Sequence, residues 1–255
     1  MGVNNVISLS GGKDSTAVLL MMLERGEPIH SAVFYDWGME FPEMYPHLAK
    51  LERDTGVKIV RLYPPRSFEY YAAAHPQLKR SGPLKGTLHR VGRGWPHMKR
   101  RWCTRDKCDA IDAYVATVPD VVECIGFAAD EARRVSSLNM QRKIDTVRFP
   151  LIEWGVTEKD ALEYCLAQGY DWCGLYDWTD RVSCYCCPLG GKKKAKLVRE
   201  RYPHLWQNML HIDRGMSGAY KYRDWCPAMS VEDLDRLFAS QDCQGCLDIA
   251  EKVGK

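Results

Sequence analysis

The sequence predicts an α/β protein: a doubly wound parallel sheet, adenine nucleotide alpha hydrolase-like and Rossmann-like in layout, with a small, mainly helical, cysteine-bearing C-terminal lobe. Two observations predict it. Short apolar runs bounded by glycine alternate with stretches of helical period in the first half of the chain, the strand–helix–strand rhythm of a parallel sheet. The 255 residues, 45% hydrophobic and 27% charged, can bury a core and suit one such domain plus an appendage.

Taken in order, residues 6–10 read as a short buried strand and Gly11-Gly12 as a turn. From Ser15 the apolar residues Ala17, Val18, Leu20, Met21 and Met22 keep a helical period up to Gly26. Residues 32–35 form a second strand, 42–55 a helix stopped by Gly56, and 58–62 a third strand. Residues 64–101, rich in Gly, Pro and basic side chains, read as a long loop with one short helix at 68–74. Residues 106–117 are helical and 121–127 a strand. Thr157 opens a helix to Gln168, with a capping box over 157–160. The cysteine-rich part starts at Tyr176, so the domain boundary is drawn after residue 175. Residues 192–201, 205–211 and 231–240 are its expected helices.

The net charge of +3 is too small to name a partner. Its distribution says more. Lys85, His89, Arg90, Arg93, Lys99, Arg100, Arg101, Arg105 and Lys107 crowd one stretch, and Lys192, Lys193, Lys194, Lys196, Arg199 and Arg201 another. Both read as solvated faces or as anion-binding surfaces. No apolar run approaches the roughly 20 residues of a membrane helix, and no secretory leader is legible, so a cytoplasmic location is expected. Eleven cysteines in such a chain point to metal or redox chemistry rather than to a disulfide framework. No oligomeric state follows from the sequence.

The strongest signal is Ser8-Leu9-Ser10-Gly11-Gly12-Lys13-Asp14-Ser15-Thr16, between a strand and a helix. A phosphate cradle needs this context: free amides at a helix N-terminus, and glycines that admit the phosphate closely. Lys13 adds a charge, and Ser10 and Ser15 add hydroxyls. Gly126, at the end of the 121–127 strand, is followed by Asp130 and Glu131, suited to a Mg2+ ion carried on phosphates. Arg133 and Arg134 are suited to clamping phosphate or sulfate oxygens.

Ser10-Gly11-Gly12-Lys13-Asp14-Ser15 resembles the pyrophosphatase loop of the PP-loop ATPase superfamily. Residues 36–45, Asp-Trp-Gly-Met-Glu-Phe-Pro-Glu-Met-Tyr, resemble a segment of the phosphoadenosine phosphosulfate (PAPS) reductase family. Arg101-Trp102-Cys103-Thr104, the 126–134 segment, Pro150-Leu151 with Trp154, and Arg181, Cys184 and Cys187-Pro188 continue that family's order. The resemblance implies ATP as the ligand, held by Ser8, Ser10, Gly11, Gly12, Lys13, Asp14, Ser15, Asp36 and Gly126. Catalytic roles would fall to Lys13, Asp14, Ser15 and Asp36. Arg101, Lys107, Asp130, Glu131, Arg133, Arg134 and Arg181 form the candidate anion or substrate set.

Cys184-Tyr185-Cys186-Cys187 offers a Cys-x-x-Cys pair, and Cys103 and Cys108 lie upstream. Together they can close a four-thiolate site for an iron–sulfur cluster or zinc. The resemblance favours [4Fe–4S]. The family places its upstream cysteines side by side, whereas Cys103 and Cys108 are separated by four residues, so Cys186 is a substitute for Cys108. Cys226, Cys243 and Cys246 form a second group, able to bind zinc with His211, to act as a redox thiol, or to remain unliganded. Cys124, Cys165 and Cys173 read as core residues.

Three functions follow. The first is ATP-dependent adenylation of an acceptor with release of pyrophosphate, followed by sulfur transfer from a donor protein or thiol. The second is a thiol-dependent PAPS or adenosine phosphosulfate reductase releasing sulfite. The intact loop favours the first. The third is nucleic-acid binding or modification through the basic stretches.

Overall fold

The computed structural model describes residues 3–133, 135, 146–216, 224–226 and 228–241. Seven strands occur among them: β1 (Asn4–Ser8), β2 (Ile29–Tyr35), β3 (Ile59–Leu62), β4 (Pro76–Leu78), β5 (Leu88–Val91), β6 (Val121–Ile125) and β7 (Val147–Arg148). The α-helices are α1 (Lys13–Glu24), α2 (Met44–Thr55), α3 (Trp102–Val115), α4 (Pro150–Glu153), α5 (Glu158–Ala167), α6 (Gly191–Arg201) and α7 (Pro203–Gly215). Residues 231–241 are also helical. Two compact units divide the chain. The first takes Met1–Pro64 and Thr104–Cys184, the second Pro65–Cys103 and Tyr185–Lys255. This division differs from a boundary after residue 175, because residues 65–103 make their contacts with the C-terminal part of the chain.

The first unit is a five-stranded sheet in the order β3-β2-β1-β6-β7, with every pair parallel. Parallel strands are covered on both faces and so read as apolar runs. Ser31, Ala32, Val33, Phe34 and Tyr35 of β2 are all buried. The chain builds outward from β1 to β3, then returns to the other side of β1 for β6. The switch point therefore lies between β1 and β6, where open α/β sheets bind ligands at the carboxyl ends of the strands.

Helix α1 packs on α5 and on the sheet. It buries Ala17, Val18, Leu19, Met21 and Met22, which is why its apolar residues go nearly all the way round. The expected capping box is present on α5. The Thr157 side chain accepts from the Asp160 amide, and the Asp160 carboxylate accepts from the Thr157 amide. Two short edge strands carried little periodicity in the sequence: β3 pairs only four residues, and β7 only two.

The second unit holds α6, α7, the 231–241 helix and a separate two-stranded antiparallel sheet, β4–β5. That ribbon corrects the reading of 64–101 as a loop with one short helix. Its strands of three and four residues are too short for an alternating pattern to stand out among Gly and Pro. The predicted short helix is a single π-helical turn at Tyr70–Ala74. Indoles fill this unit's core. Trp95 is fully buried and donates to Asp213 Oδ1 at 2.9 Å. Trp225 donates to the Cys186 carbonyl at 2.8 Å.

Candidate functional site

The turn between β1 and α1 lies at the sheet's switch point, and its geometry can be built residue by residue. Gly11 has φ +78°, and a Cβ there would come within 2.4 Å of Met44 Sδ. Only glycine meets both conditions. Gly12 forms the N-cap of α1 in extended backbone and makes no side-chain cap. The first amides of a 12-residue helix thus open onto the turn with the positive end of the helix dipole behind them. Ser15 Oγ donates to the Gly12 carbonyl at 3.1 Å, accepts from the Ser10 amide at 3.1 Å, and lies 3.0 Å from Ser10 Oγ. These bonds close the turn on itself.

Gly126, just past β6, is fitted against the same turn. A Cβ at Gly126 would lie 2.9 Å from both Asp14 C and Ser15 N. It is therefore the close approach of two backbones that calls for glycine at this position. Ser8 donates to Glu123 of β6 at 2.5 Å, and Glu123 is itself buried.

Lys13 is 5% exposed. Its ammonium lies 2.6 Å from Glu158 Oε2 and 3.3 Å from Asp14 Oδ2. Burial acts to lower the Lys13 pKa, but the two carboxylates outweigh it and hold the group above its ordinary value. Asp14 is pushed up to about 6, first by burial, while Lys13 opposes the shift and Glu158 and Glu131 add to it. Its Oδ1 is buried without a hydrogen-bond partner.

Several residues that shape this turn carry no signal in the sequence. Glu158 opens α5, and its amide donates to Asp130 Oδ1 at 3.2 Å. Asp130, expected beside a metal, thus holds the first amide of the helix that carries Glu158. The Tyr176 hydroxyl accepts from the Lys13 amide at 2.8 Å. The Trp172 indole donates to the Gly11 carbonyl at 2.6 Å. Trp172, Cys173 and Gly174 all have positive φ, a costly run for two residues with side chains. The run places Cys173 on the surface, which corrects its expected place in the core. Cys124 and Cys165 are buried as expected, and burial raises each thiol to about 12.

The second expected motif gathers at the carboxyl end of β2. Asp36 is 6% exposed and accepts from the Gly38 amide at 2.6 Å and the Tyr45 hydroxyl at 3.4 Å. Cys184 donates to Glu40 Oε1 at 3.3 Å. Burial, with Asp36 next, holds the Tyr45 pKa well above the usual phenol value.

The remaining candidates are dispersed. Lys107, on α3, lies 5.9 Å over the Phe34 ring. Arg133 and Arg181 are exposed in the first unit, and Arg101 is exposed in the second. Glu131 ends a single 3-10 turn. Arg134, Cys243 and Cys246 lie outside the described residues. Cys108 and Cys184 belong to the first unit, and Cys103, Cys186 and Cys187 to the second. Their thiols suit iron–sulfur or zinc chemistry by donor type. Among the described residues, no group of three His, Cys, Asp or Glu side chains is placed to hold a metal ion. His211 faces Glu69 at 3.1 Å instead.

Comparison with known proteins bears on this arrangement. Two uncharacterized proteins of Methanocaldococcus jannaschii are similar to the chain. One is 24% identical over 218 residues, covering 82% of this chain and 41% of that protein. The other is 22% identical over 250 residues, covering 92% and 55%. The chain thus spans about half the length of the curated relatives it matches. A solved structure, the U34-tRNA thiolase NcsA from Methanococcus maripaludis with its [4Fe–4S] cluster, aligns with a TM-score of 0.45 at 13% identity, covering 86% of this chain and 74% of that one. The family model described as "Phosphoadenosine phosphosulfate reductase domain" matches residues 4–190, a range that takes in the β1–α1 turn, the β2 motif and the Cys184–Cys187 segment. The chain belongs to the phosphoadenosine phosphosulfate reductase domain family.

Proposed function

We propose that the chain binds ATP at the β1–α1 turn, adenylates an acceptor and supports sulfur transfer to it. The observation that carries this reading is the turn itself. It is a complete Ser-Gly-Gly-Lys-Asp-Ser string, closed by its own hydroxyls, leading at the switch point of the sheet into a helix whose N-cap residue, Gly12, supplies no side-chain cap and whose first amide is held by Tyr176. Polarised amides and a buried ammonium suit the charge of a triphosphate. An acceptor oxygen would attack the α-phosphorus, the bond to the β-phosphate would break, and pyrophosphate would leave. A sulfur nucleophile from a donor protein or thiol would then displace AMP.

In this reading Lys13 and the α1 amides stabilise the departing phosphates. Asp36, at the end of β2, contacts the adenosine part. Asp14, with an unpaired buried oxygen, fits one carboxylate of a Mg2+ ion brought in on the nucleotide. When bound, that ion would neutralise phosphate charge. Arg101, Lys107, Arg133, Arg134 and Arg181 are proposed for the acceptor or its anionic groups. A four-thiolate centre of Cys103, Cys108, Cys184 and Cys187, with Cys186 as substitute, belongs to the reading on donor chemistry alone, and no step passes through it. Iron and acid-labile sulfide assays on anaerobically purified protein test the centre, and zinc without iron would overturn it.

Pyrophosphate release from ATP, measured with and without sulfide, tests the main reaction. Lys13→Ala should weaken nucleotide binding and abolish turnover. Unchanged turnover would remove the loop from the chemistry.

The family description supports a second reading, thiol-dependent reduction of an adenylyl sulfate. There a cysteine thiolate attacks the sulfate sulfur and displaces the adenosine phosphate, and a second thiol then attacks the S-sulfocysteine sulfur, forming a disulfide and releasing sulfite. Such an enzyme would consume the adenylyl sulfate without forming pyrophosphate, so the same assay separates the two.

A further inference from the structure

The small net charge of the whole chain hides a steep partition. The second unit's sequence holds 21 Lys and Arg against 10 Asp and Glu, a net +11, whereas the first holds 15 against 23, a net −8. Between Glu69 and Asp106 there is not one carboxylate side chain, and nine Lys and Arg. A positive charge concentrated in this way in one unit attracts polyanions.

The excess is not spread evenly over what a partner could touch. On α6, Lys192 and Lys193 are exposed, but Lys194 is buried, Arg199 pairs with Asp235 at 2.9 Å, and Lys196 lies 3.9 Å from Glu200. Arg93 stacks over the rings of Tyr71 and Trp102. The β4–β5 ribbon differs. Every residue from 80 to 89 is exposed. Among the described residues, Lys79, Arg80 and Lys85 have no carboxylate partner. Among the described residues no third strand pairs with the ribbon. Leu78 and Leu88, facing each other across it, are 55% and 57% exposed, and Leu84 at its tip is 55% exposed. An isolated two-stranded ribbon is marginal in water, and this one leaves apolar side chains uncovered as well.

We infer that the β4–β5 ribbon is a docking arm for nucleic acid, gripping the phosphate backbone through Lys79, Arg80 and Lys85. A two-stranded ribbon fits the major groove of a B-form DNA duplex, and lysine and arginine neutralise the phosphates of DNA or RNA alike. The apolar residues then rest on sugars and base edges. Residues 76–91 contain no tryptophan, tyrosine or phenylalanine, and tryptophan or tyrosine anchors are what an element seated at a membrane interface uses. Binding by this arm does not depend on the nucleotide site. Its extension, that nucleic acid is the acceptor to be adenylated, rests on the proposed function.

Fluorescence anisotropy with short RNA and DNA duplexes over a range of salt concentrations tests the arm on the full chain. The wild type should bind, with log affinity falling steeply against log salt. The triple variant Lys79→Ala, Arg80→Ala, Lys85→Ala should lose at least about tenfold in affinity at low salt, and its slope should flatten by about 2 to 3. ATP binding, measured on the same preparations, should be equal in both proteins. No duplex binding by the wild type, a slope unchanged in the variant, or a preference for phosphatidylserine vesicles over duplexes would each overturn the inference. Duplex binding in a protein that fails to bind ATP would leave the arm standing and remove only the acceptor role.

Discussion

Lys13 shows how a side chain's surroundings change what its identity implies. As a sequence letter it is a charge for a phosphate. In the structure its ammonium is already held by Glu158 and Asp14, so a nucleotide's phosphates compete with two carboxylates for it. Asp14 then becomes the pH-sensitive group. With its pKa raised to about 6, mainly by burial, it is protonated below that pH and ionised above it. Magnesium-nucleotide affinity should therefore rise as pH increases through about 6, and Asp14→Asn should flatten that rise in a calorimetric titration. A rise that persists in Asp14→Asn would assign it to another group. For folding the sign is opposite. The contribution of Asp14 is full below its unfolded value of 3.8 and is lost as pH rises through about 6. Gly126→Ala puts a methyl against the backbone of Asp14 and Ser15, which cannot rotate aside. It should cost roughly 1–3 kcal/mol in urea unfolding and weaken nucleotide binding. A variant as stable as wild type would mean that the two backbones separate easily.

Helix α2 and residues 171–177 act on the turn from outside it. His47 on α2 is 4% exposed, lies 3.2 Å from Thr16 Oγ1, and stacks on Trp172 with ring centroids 4.7 Å apart. Burial, then Lys50, lowers its pKa to about 4. The folded chain thus keeps His47 neutral where the unfolded chain would take up a proton. Its contribution to stability is present above pH 6.5 and lost as pH falls through about 4, on the order of 3 kcal/mol in all. Urea midpoints at neutral and acid pH should draw closer together in His47→Gln, and an unchanged gap would place the acid sensitivity elsewhere. Helix positions with a full apolar period and a stop signal, such as α1, α2 and α5, were legible within a residue or two. The β4–β5 ribbon, β7 and the left-handed run at 172–174 were not, because two to four residues carry no usable period and positive φ at Trp and Cys contradicts their local preference.

In the molecule as a whole, the β1–α1 turn, the proposed nucleotide site, belongs to the acidic unit and the proposed docking arm to the basic one. The two ligands should therefore protect different segments from hydrogen exchange. ATP should slow exchange around residues 8–16 and 123–128, and a duplex should slow it at 76–91. Protection of the same segments by both ligands would contradict two separate sites. Among the described residues no helix is long and apolar enough to cross a membrane, as the hydropathy implied.

The amino-acid order alone was enough for the parallel α/β class, the β1–α1 turn and the family, because these rest on local period and on a contiguous string of residues. Folding settled the pairing of Lys13 with Glu158, the bracing of the turn by Trp172 and Tyr176, the reason for Gly126, and the partition of charge between two units. Each of these joins residues far apart in the chain, and no local preference records a contact that exists only once strands and helices have packed.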